Sequence, residues 1–463
     1  MTLDRRQFLV TAAVAAAMPR RALGAIPVIE AREGVAQLAP AQFGETPIWG
    51  FDGTVPGPEL RVNQGARLQR RMVNALPHPT SIHWHGIRID NAMDGVPGLT
   101  QPVVEPGEAF DYDFVLPDAG TYWYHAHNRS FEQVARGLYG PLIVEEAEGP
   151  DVDDDIVLML DDWRLDPETA SIRDDFGNGH DMSHAGRIGN LVTVNGQFDP
   201  AIRVAPGARL RLRLVNAANA RIFSLGLDGF RGWVVALDGM PLAQPEPLAQ
   251  PEPLVNPVVL APAQRVDLIV DVTADAGSVA SLIEMRREGG VGLARFDIGA
   301  GTGMSRDNTP DALPPNPLPD LAGWEEAPRH EMRMQGGAMR WLDGALLGDT
   351  QLSGRELAQL GRFWALNGQA DRPEEPFLDA ERGSLHRIRF VNETMFPHGM
   401  HLHGHHVRIV GAEGLGPWRD TVLVDRGETV EIALNADNPG KWLLHCHMLG
   451  HAASGMSTWY KVG

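Results

Sequence analysis

Leu444-His445-Cys446-His447-Met448-Leu449-Gly450-His451-Ala452-Ala453-Ser454-Gly455-Met456 holds the single cysteine of a 463-residue chain. Histidine flanks it on both sides, another histidine follows five residues on, and a methionine follows ten on. Thiolate, imidazole and thioether together form the soft ligand set of a blue-copper electron-transfer site. If the stretch begins as a strand, successive side chains point to opposite faces. Cys446 then faces one way and His445 and His447 the other, so a thiolate-bound metal stands back to back with whatever the imidazoles hold. The competing reading is a buried free thiol beside two polar histidines. Three further His-x-His pairs, His83/His85, His125/His127 and His401/His403, decide against it.

Those pairs sit in a sequence that repeats. Gly65-Ala66-Arg67-Leu68-Gln69-Arg70-Arg71-Met72-Val73-Asn74 matches Gly207 to Asn216, and the pattern returns from Gly383 to Asn392. Each copy is a glycine turn followed by polar/apolar alternation, which predicts a half-buried strand. Turn signals such as Asn195-Gly196-Gln197 and Asn367-Gly368-Gln369 precede the second and third copies. Self-similarity at long period implies repeated domains, and short strands with dense turns imply β-sandwiches or barrels. Nine and eleven residues after the shared Asn, the first copy has His83 and His85 and the third has His401 and His403, whereas the middle copy has Leu225 and Leu227. Gly107-Glu108 through Gly120 to His125-Ala126-His127 matches Gly427-Glu428 through Gly440 to His445-Cys446-His447 in spacing. Histidines that merely satisfied a core would not be confined to the outer copies. A metal site shared between those two domains accounts for the restriction.

A chain of this length implies two to four domains with ample cores. The net charge of −20 argues against nucleic acid or an anionic membrane as partner. Residues 1–25 contain Arg5-Arg6-Gln7-Phe8-Leu9-Val10, a weakly apolar run and small residues at Ala22-Leu23-Gly24-Ala25. This predicts a removable export signal of the twin-arginine type, read by that export machinery, and hence a periplasmic or otherwise exported protein. The apolar run is too short to span a bilayer, and no other segment suits one. An exported chain with one cysteine cannot form an internal disulfide, which adds weight to a ligand role for Cys446. Domain boundaries are expected near 147, at the acidic connector Glu145 to Asp155, and near 302, followed by a Gly/Pro-rich linker over 303–325. The three domains are thus 26–147, 148–302 and 326–463. Leu242 to Pro247 is duplicated at once as Leu248 to Pro253, which predicts a surface loop, and Ser353 to Arg362 suits a short helix.

His83-Trp84-His85-Gly86, Tyr124-His125-Ala126-His127, His398-Gly399-Met400-His401-Leu402-His403-Gly404 and the Cys446 stretch resemble, in order, the four copper-binding motifs of the multicopper oxidases. The resemblance covers essentially the whole chain after the signal and points to the three-domain bacterial branch of laccases and copper-efflux oxidases. It implies an all-β chain of three consecutive cupredoxin-like Greek-key β-sandwich or barrel domains. It also implies four copper ions, one type 1, one type 2 and two type 3. By motif position, the type 1 copper takes His398, Cys446, His451 and axial Met456, and the type 2 copper takes His83 and His401. One type 3 copper takes His85, His125 and His447, and its partner takes His127, His403 and His445. The middle domain holds no copper. Electrons then pass from Cys446 through His445 and His447 into a cluster where O2 is reduced to water.

The resemblance also assigns Asp94, of Met93-Asp94-Gly95, to orienting water and supplying protons near the cluster; the alternative is a turn-forming Asp before Gly. Several bacterial relatives place a glutamate directly after the last blue-copper histidine, where this chain has Ala452, so a proton path through that position is in doubt. His78, His180, His184, His330, His386, His405 and His406 are expected at the surface or in hydrogen bonds, with His405 and His406 placed to support ligands.

For the reducing substrate, the laccase-like reading takes phenols and aromatic amines. The alternative is a cuprous oxidase in copper tolerance, for which Met332, Met334 and Met339 are the candidate thioethers for Cu(I), against a default of core or loop packing. A copper-free structural protein of the cell-division branch would have lost the ligands, which are all present here. A two-domain nitrite reductase lacks the four-motif arrangement. The axial Met456 implies a type 1 potential toward the lower end for the family.

Overall fold

The computed structural model describes residues 26–248, 257–301, 303 and 306–463. The signal-like stretch 1–25, residues 249–253 of the duplicated loop and the boundary residue 302 lie outside them.

Strands between 28 and 145 form two four-stranded sheets, those between 154 and 298 form one of six and one of five, and those between 329 and 462 form one of nine and one of five. Three β-sandwiches in series are therefore present, as the repeat predicted. Both sheets of the first sandwich mix pairing directions. Val28–Ala36 runs antiparallel to Thr46–Phe51 and parallel to Arg67–Asn74, and Leu60–Asn63 runs parallel to Tyr139–Glu145. Parallel neighbours need connections that cross between sheets, which is how a sandwich differs from a simple meander.

The three repeat copies occupy equivalent strands, Arg67–Asn74, Arg209–Asn216 and Leu385–Asn392. The first and third alternate between buried and more exposed positions, as a strand with one solvated face should. The middle copy departs from that expectation, because all eight of its residues are buried. The reason is ionic. Arg209 is paired with Asp271, Arg211 with Asp267 and Glu146, and Arg213 with Asp155 and Asp267, so the polar face that would meet water meets carboxylates instead. Glu146 and the Thr121 hydroxyl on Arg213 bring the first sandwich onto this face.

One cluster of buried apolar side chains runs through the first and third sandwiches, including Trp84, Tyr124, Met400 and Trp442, while the middle sandwich closes its own core around Leu212, Phe223 and Leu268. The outer sandwiches are thus packed on each other, and the Asn91 amide on the Lys441 carbonyl and the Arg88–Asp437 ion pair pin the same seam. The expected short helix is Gly354–Gln359, capped by Ser353 and Glu356 in a reciprocal box. Among the described residues no helix is long and apolar enough to cross a membrane.

Candidate metal centre

Paired strands deliver the histidines in register. Ile82–His85 lies antiparallel to Gly120–Ala126 with His83 opposite His125, and His398–Leu402 lies antiparallel to Gly440–Cys446 with His401 opposite His445. The same hairpin-like device in the first and third sandwiches aims two sets of imidazoles at one seam. Across it His83 stacks on His403 with ring centroids 3.9 Å apart, and His85 stacks on His401 at 3.8 Å. His447 Nε2 stands 3.4 Å from His125 Nε2, His403 Nε2 stands 3.2 Å from His445 Nε2, and the His127 ring lies 5.5 Å from that of His445. All eight histidines of the four His-x-His (or His-Cys-His) pairs therefore meet in one place.

Their ring nitrogens show what the place is suited to hold. Buried and without a hydrogen-bond partner are His83 Nε2, His85 Nδ1, His127 Nε2, His401 Nε2 and His447 Nδ1. A buried polar atom left unpaired costs about 1–3 kcal/mol, and a cation that accepts these lone pairs removes that cost. On His83 and His401 the opposite nitrogen is spoken for, Nδ1–H donating to the Asp94 carbonyl at 2.8 Å and to the Asp420 carbonyl at 2.9 Å respectively. His445 and His125 likewise donate Nδ1–H to the Cys446 carbonyl at 2.9 Å and the Ala126 carbonyl at 3.1 Å, and turn Nε2 toward His403 and His447. A main-chain carbonyl on one nitrogen fixes the tautomer that leaves the other as a lone pair. Burial, and then the neighbouring histidines, hold His85, His127, His401 and His403 neutral well below the usual imidazole range, and burial pushes His445 down to about 4. Neutral imidazoles aimed at a common point with unsatisfied lone pairs fit a metal cluster. Triads whose donor atoms lie within 4.8 Å of one another include His83/His401/His403, His83/His85/His125 and His127/His403/His445.

Asp94 closes a turn and also lies against the histidine cluster. It follows the single turn Asn91–Met93 and precedes Gly95, whose φ of 86° and closeness to the Ile82 carbonyl exclude any side chain. At the same time its buried carboxylate accepts from His403 Nδ1 at 3.1 Å on each oxygen and lies 3.3 Å from His83 Nδ1. Burial raises its pKa, with the contact to His83 opposing.

Asp420 does comparable work on the other flank, and nothing in the sequence singled it out. Its Oδ1 is 3.2 Å from His85 Nε2, and its two oxygens hold Arg265 of the middle sandwich at 2.9 and 2.6 Å. Arg265, Asp420 and His85 are all buried. The middle sandwich, which offers no histidine to the cluster, braces it through this ion pair and through the Gln264 amide on the Thr421 carbonyl.

The cysteine side is a separate, smaller centre behind His445 and His447. Cys446 Sγ lies 3.6 Å from His398 Nδ1 and 3.8 Å from His451 Nδ1, and the two nitrogens are 3.1 Å apart. Met456 is buried with Cys446 in the same apolar cluster, its carbonyl accepting the Cys446 N–H at 3.1 Å and its own N–H donating to the His451 carbonyl at 3.0 Å. Burial pushes the Cys446 thiol up to about 12, so it becomes a thiolate only where a cation replaces its proton. Trp364 covers the centre, 4.3 Å from the His451 ring and 5.1 Å from the His398 ring. The outer nitrogens are engaged by protein: His398 Nε2 with Thr394 Oγ1 at 2.8 Å and His451 Nε2–H with the His184 carbonyl at 2.6 Å.

A cavity of about 460 Å³ reaches His127 and His445 from outside, with Ala452, Asp371 and Arg372 in its wall. Ala452 therefore lies in the wall of a cavity that also touches two histidines of the cluster. The remaining histidines join none of the clusters. His405 and His406 are buried beside the ligand strand, His405 on Tyr460 Oη at 2.8 Å and His406 on the Asp238 carbonyl at 3.3 Å. Met332 and Met334 are core side chains with no exposure, and only Met339 reaches solvent.

Three sequence profiles described as multicopper oxidase match residues 34–149, 154–288 and 349–463. The chain is 30% identical over 456 residues to multicopper oxidase MmcO of Mycobacterium tuberculosis, covering 88% of this chain and 82% of that one. Among solved structures it resembles a multi-copper oxidase from Pseudomonas thermotolerans, with a TM-score of 0.80, 32% identity and coverage of 94% and 98%. It also resembles Lac15 from a marine microbial metagenome, with a TM-score of 0.76, 44% identity and coverage of 95% and 100%.

Proposed function

The chain belongs to the multicopper oxidase family, and from that premise we propose that it is a laccase-like enzyme using four coppers. It is a copper-dependent oxidoreductase that takes electrons from a reducing substrate and delivers them to O2. The proposal adds the ligand assignment: type 1 copper on His398, Cys446, His451 and Met456, type 2 on His83 and His401, and type 3 on His85, His125 and His447 and on His127, His403 and His445. The observation that carries it is the set of orphaned, buried imidazole nitrogens converging from the two outer sandwiches. The same observation speaks against a copper-free structural role, since evolution toward a plain core would not leave such atoms unpaired.

Bound copper supplies one-electron chemistry at the thiolate centre and reduction of one O2 by four electrons and four protons to two waters at the cluster. The protein's part is positional. Cys446 shares its main chain with His445 and His447, so a covalent path a few bonds long joins the two centres. Asp94 orients the His403 ring and Asp420 the His85 ring. The dry packing around His398 and His451 keeps bulk water off the thiolate. Asp94 is the carboxylate placed to hold a proton beside the cluster, and the cavity wall offers Asp371 but no acid at Ala452.

The substrate class favoured is phenolic or arylamine rather than Cu(I). Two of the three candidate thioethers, Met332 and Met334, are enclosed in the core and cannot bind an ion from solution. Steady-state O2 consumption with a phenol and with Cu(I) tests this. Phenol turnover is expected, with any Cu(I) turnover unchanged in Met339→Leu; Cu(I) turnover that exceeds phenol turnover and collapses in Met339→Leu contradicts it. Residues 1–25 are read as a twin-arginine export signal and the domain boundaries are set near 147 and 302, which sequencing of the exported protein's N-terminus and limited proteolysis test respectively.

A further inference from the structure

The cavity that touches His127 and His445 carries an unbalanced charge. Its volume, about 460 Å³, falls within the range of small-molecule sites, about 300–1,000 Å³, and exceeds what O2 or a water molecule needs. Three charged side chains share its wall, Arg129, Asp371 and Arg372. Arg129 is paired with Glu132 at 2.7 Å, and Asp371 is paired with Arg362. Arg372 has no carboxylate partner among the described residues. Its only hydrogen bond among them runs from Nη2–H to the Gly98 carbonyl at 2.9 Å, which leaves the rest of the guanidinium fork unpaired.

Burial lowers the Arg372 pKa, and no neighbouring acid pushes the other way. The partly buried Arg88, Arg164 and Arg221 differ in this respect, since each is paired with a carboxylate. In a chain with 60 acidic residues against 40 basic ones, a half-buried arginine left without an acid is suited to an anion from outside. A guanidinium fork matches a carboxylate by two parallel N–H···O bonds. Much of the remaining wall is apolar, with Phe131, Leu443 and Leu449 in it, and the small Ala452 and Ala453 at the end of the helix Leu449–Ala453 keep the space open. An apolar chamber with one cation recognises a molecule with an apolar body and one negative charge.

The geometry points to this cavity as a binding site for a small aromatic monocarboxylate, with its carboxylate on Arg372 and its ring among Phe131, Leu443 and Leu449, in the chamber that touches His127 and His445. The ligand is not an electron donor. It lies at the histidine cluster, away from the thiolate centre, and is held without being oxidised. Its effect rests on the laccase-like reading: a molecule filling the cavity stands between solvent and two histidines assigned to a type 3 copper. It therefore hinders O2 and leaves electron uptake at Cys446 untouched. Aromatic acids are in this way inhibitors of the O2 half of the reaction alone.

The test has two arms. In copper-free protein, benzoate should shift the ring resonances of His127 and His445 saturably and leave those of His398 and His451 fixed. Benzamide, which lacks the charge, and acetate, which lacks the ring, should each bind at least about tenfold more weakly. Arg372→Gln should weaken benzoate by about tenfold, whereas Arg408→Gln, at another partly buried arginine that bonds only to carbonyls, should leave its affinity unchanged. In the copper-loaded enzyme, benzoate at about ten times its Kd should slow reoxidation of the hydroquinone-reduced protein about tenfold, an effect relieved by raising O2. Anaerobic bleaching of the blue band by hydroquinone should proceed at its usual rate. Benzamide or acetate binding as tightly as benzoate, benzoate affinity untouched by Arg372→Gln, shifts at His398 and His451 instead, or reoxidation indifferent to benzoate overturns the assignment. The ligand series on the parent protein reads the site even where Arg372→Gln does not fold. Failure of the copper-loaded enzyme to reduce O2 with any donor would instead strike the laccase-like reading, because the copper-free titration does not depend on turnover.

Discussion

Asp94 and Asp420 place a carboxylate on either side of the histidine cluster, each against a different imidazole and each fully buried. Removing the outer partner of a ligating histidine typically costs 10–100-fold in metal affinity or activity. Asp94→Ala is accordingly expected to lower O2 consumption by about one to two orders of magnitude while the blue absorbance, which depends on Cys446, persists; equal loss of both would contradict a role confined to the cluster. Asp420→Asn leaves the buried Arg265 guanidinium only the more distant Asp238 carboxylate, at 3.8 Å, and breaking a buried pair by removing one charge costs about 3–5 kcal/mol. Urea unfolding should show that loss, and a change under about 1 kcal/mol would mean that Asp238 alone balances Arg265. The two carboxylates also mark where reading the sequence reached its limit. Asp94 sat beside a recognisable His-x-His motif, whereas Asp420 meets Arg265 from 155 residues away and no local spacing announces such a pair.

At the scale of the strand, the copies ending in Asn74, Asn216 and Asn392 share more than a turn and an alternation. Each Asn side chain accepts from the N–H two residues on and donates to a carbonyl four or five residues on and to one across the sheet, Val104, Leu260 and Val424 respectively. The repeat was visible in the sequence because this buried network tolerates no other side chain of that shape. Replacing Asn392 by Ala leaves those groups unpaired, with an expected loss of about 2–3 kcal/mol by denaturant titration; a neutral substitution would refute the role. What the alternation misstated is the middle strand. Arg209, Arg211 and Arg213 read as a solvated face, and they are buried because carboxylates from two sandwiches converge on them. Residue type alone does not reveal whether an arginine's partner is water or an acid on another strand. The methionine cluster follows its default of core and loop packing: alternation placed Met332 and Met334 together on the inner face of Arg329–Gly336, away from solvent, and left Met339 exposed.

For the molecule as a whole, packing two sandwiches over a shared set of neutral histidines ties stability to pH. Burial lowers the pKa of His85, His125, His127, His398, His401, His403 and His447 well below the usual value, and takes His445 and His451 to about 4. In the unfolded chain these rings take up protons near pH 6.5, so the unfolded state binds more protons below that value and is favoured by acid. Stability of the copper-free protein should therefore be highest above about pH 7 and fall as the pH drops from about 6.5 toward 4, each imidazole contributing up to about 1.4 kcal/mol per pH unit. A melting temperature that rises over that interval would be incompatible with neutral buried rings. Acid competes with metal for the same lone pairs, so copper should be lost over the same range.

The central claim is that imidazoles from the first and third sandwiches enclose three coppers, wired through Cys446 to a fourth. Copper analysis with optical and paramagnetic spectra on one preparation, beside Cys446→Ser, tests it most directly. The expected result is four coppers per chain, one blue, one type 2 and one spin-coupled pair, with Cys446→Ser losing the blue band alone. One or two coppers per chain, or a blue band that survives Cys446→Ser, would contradict it.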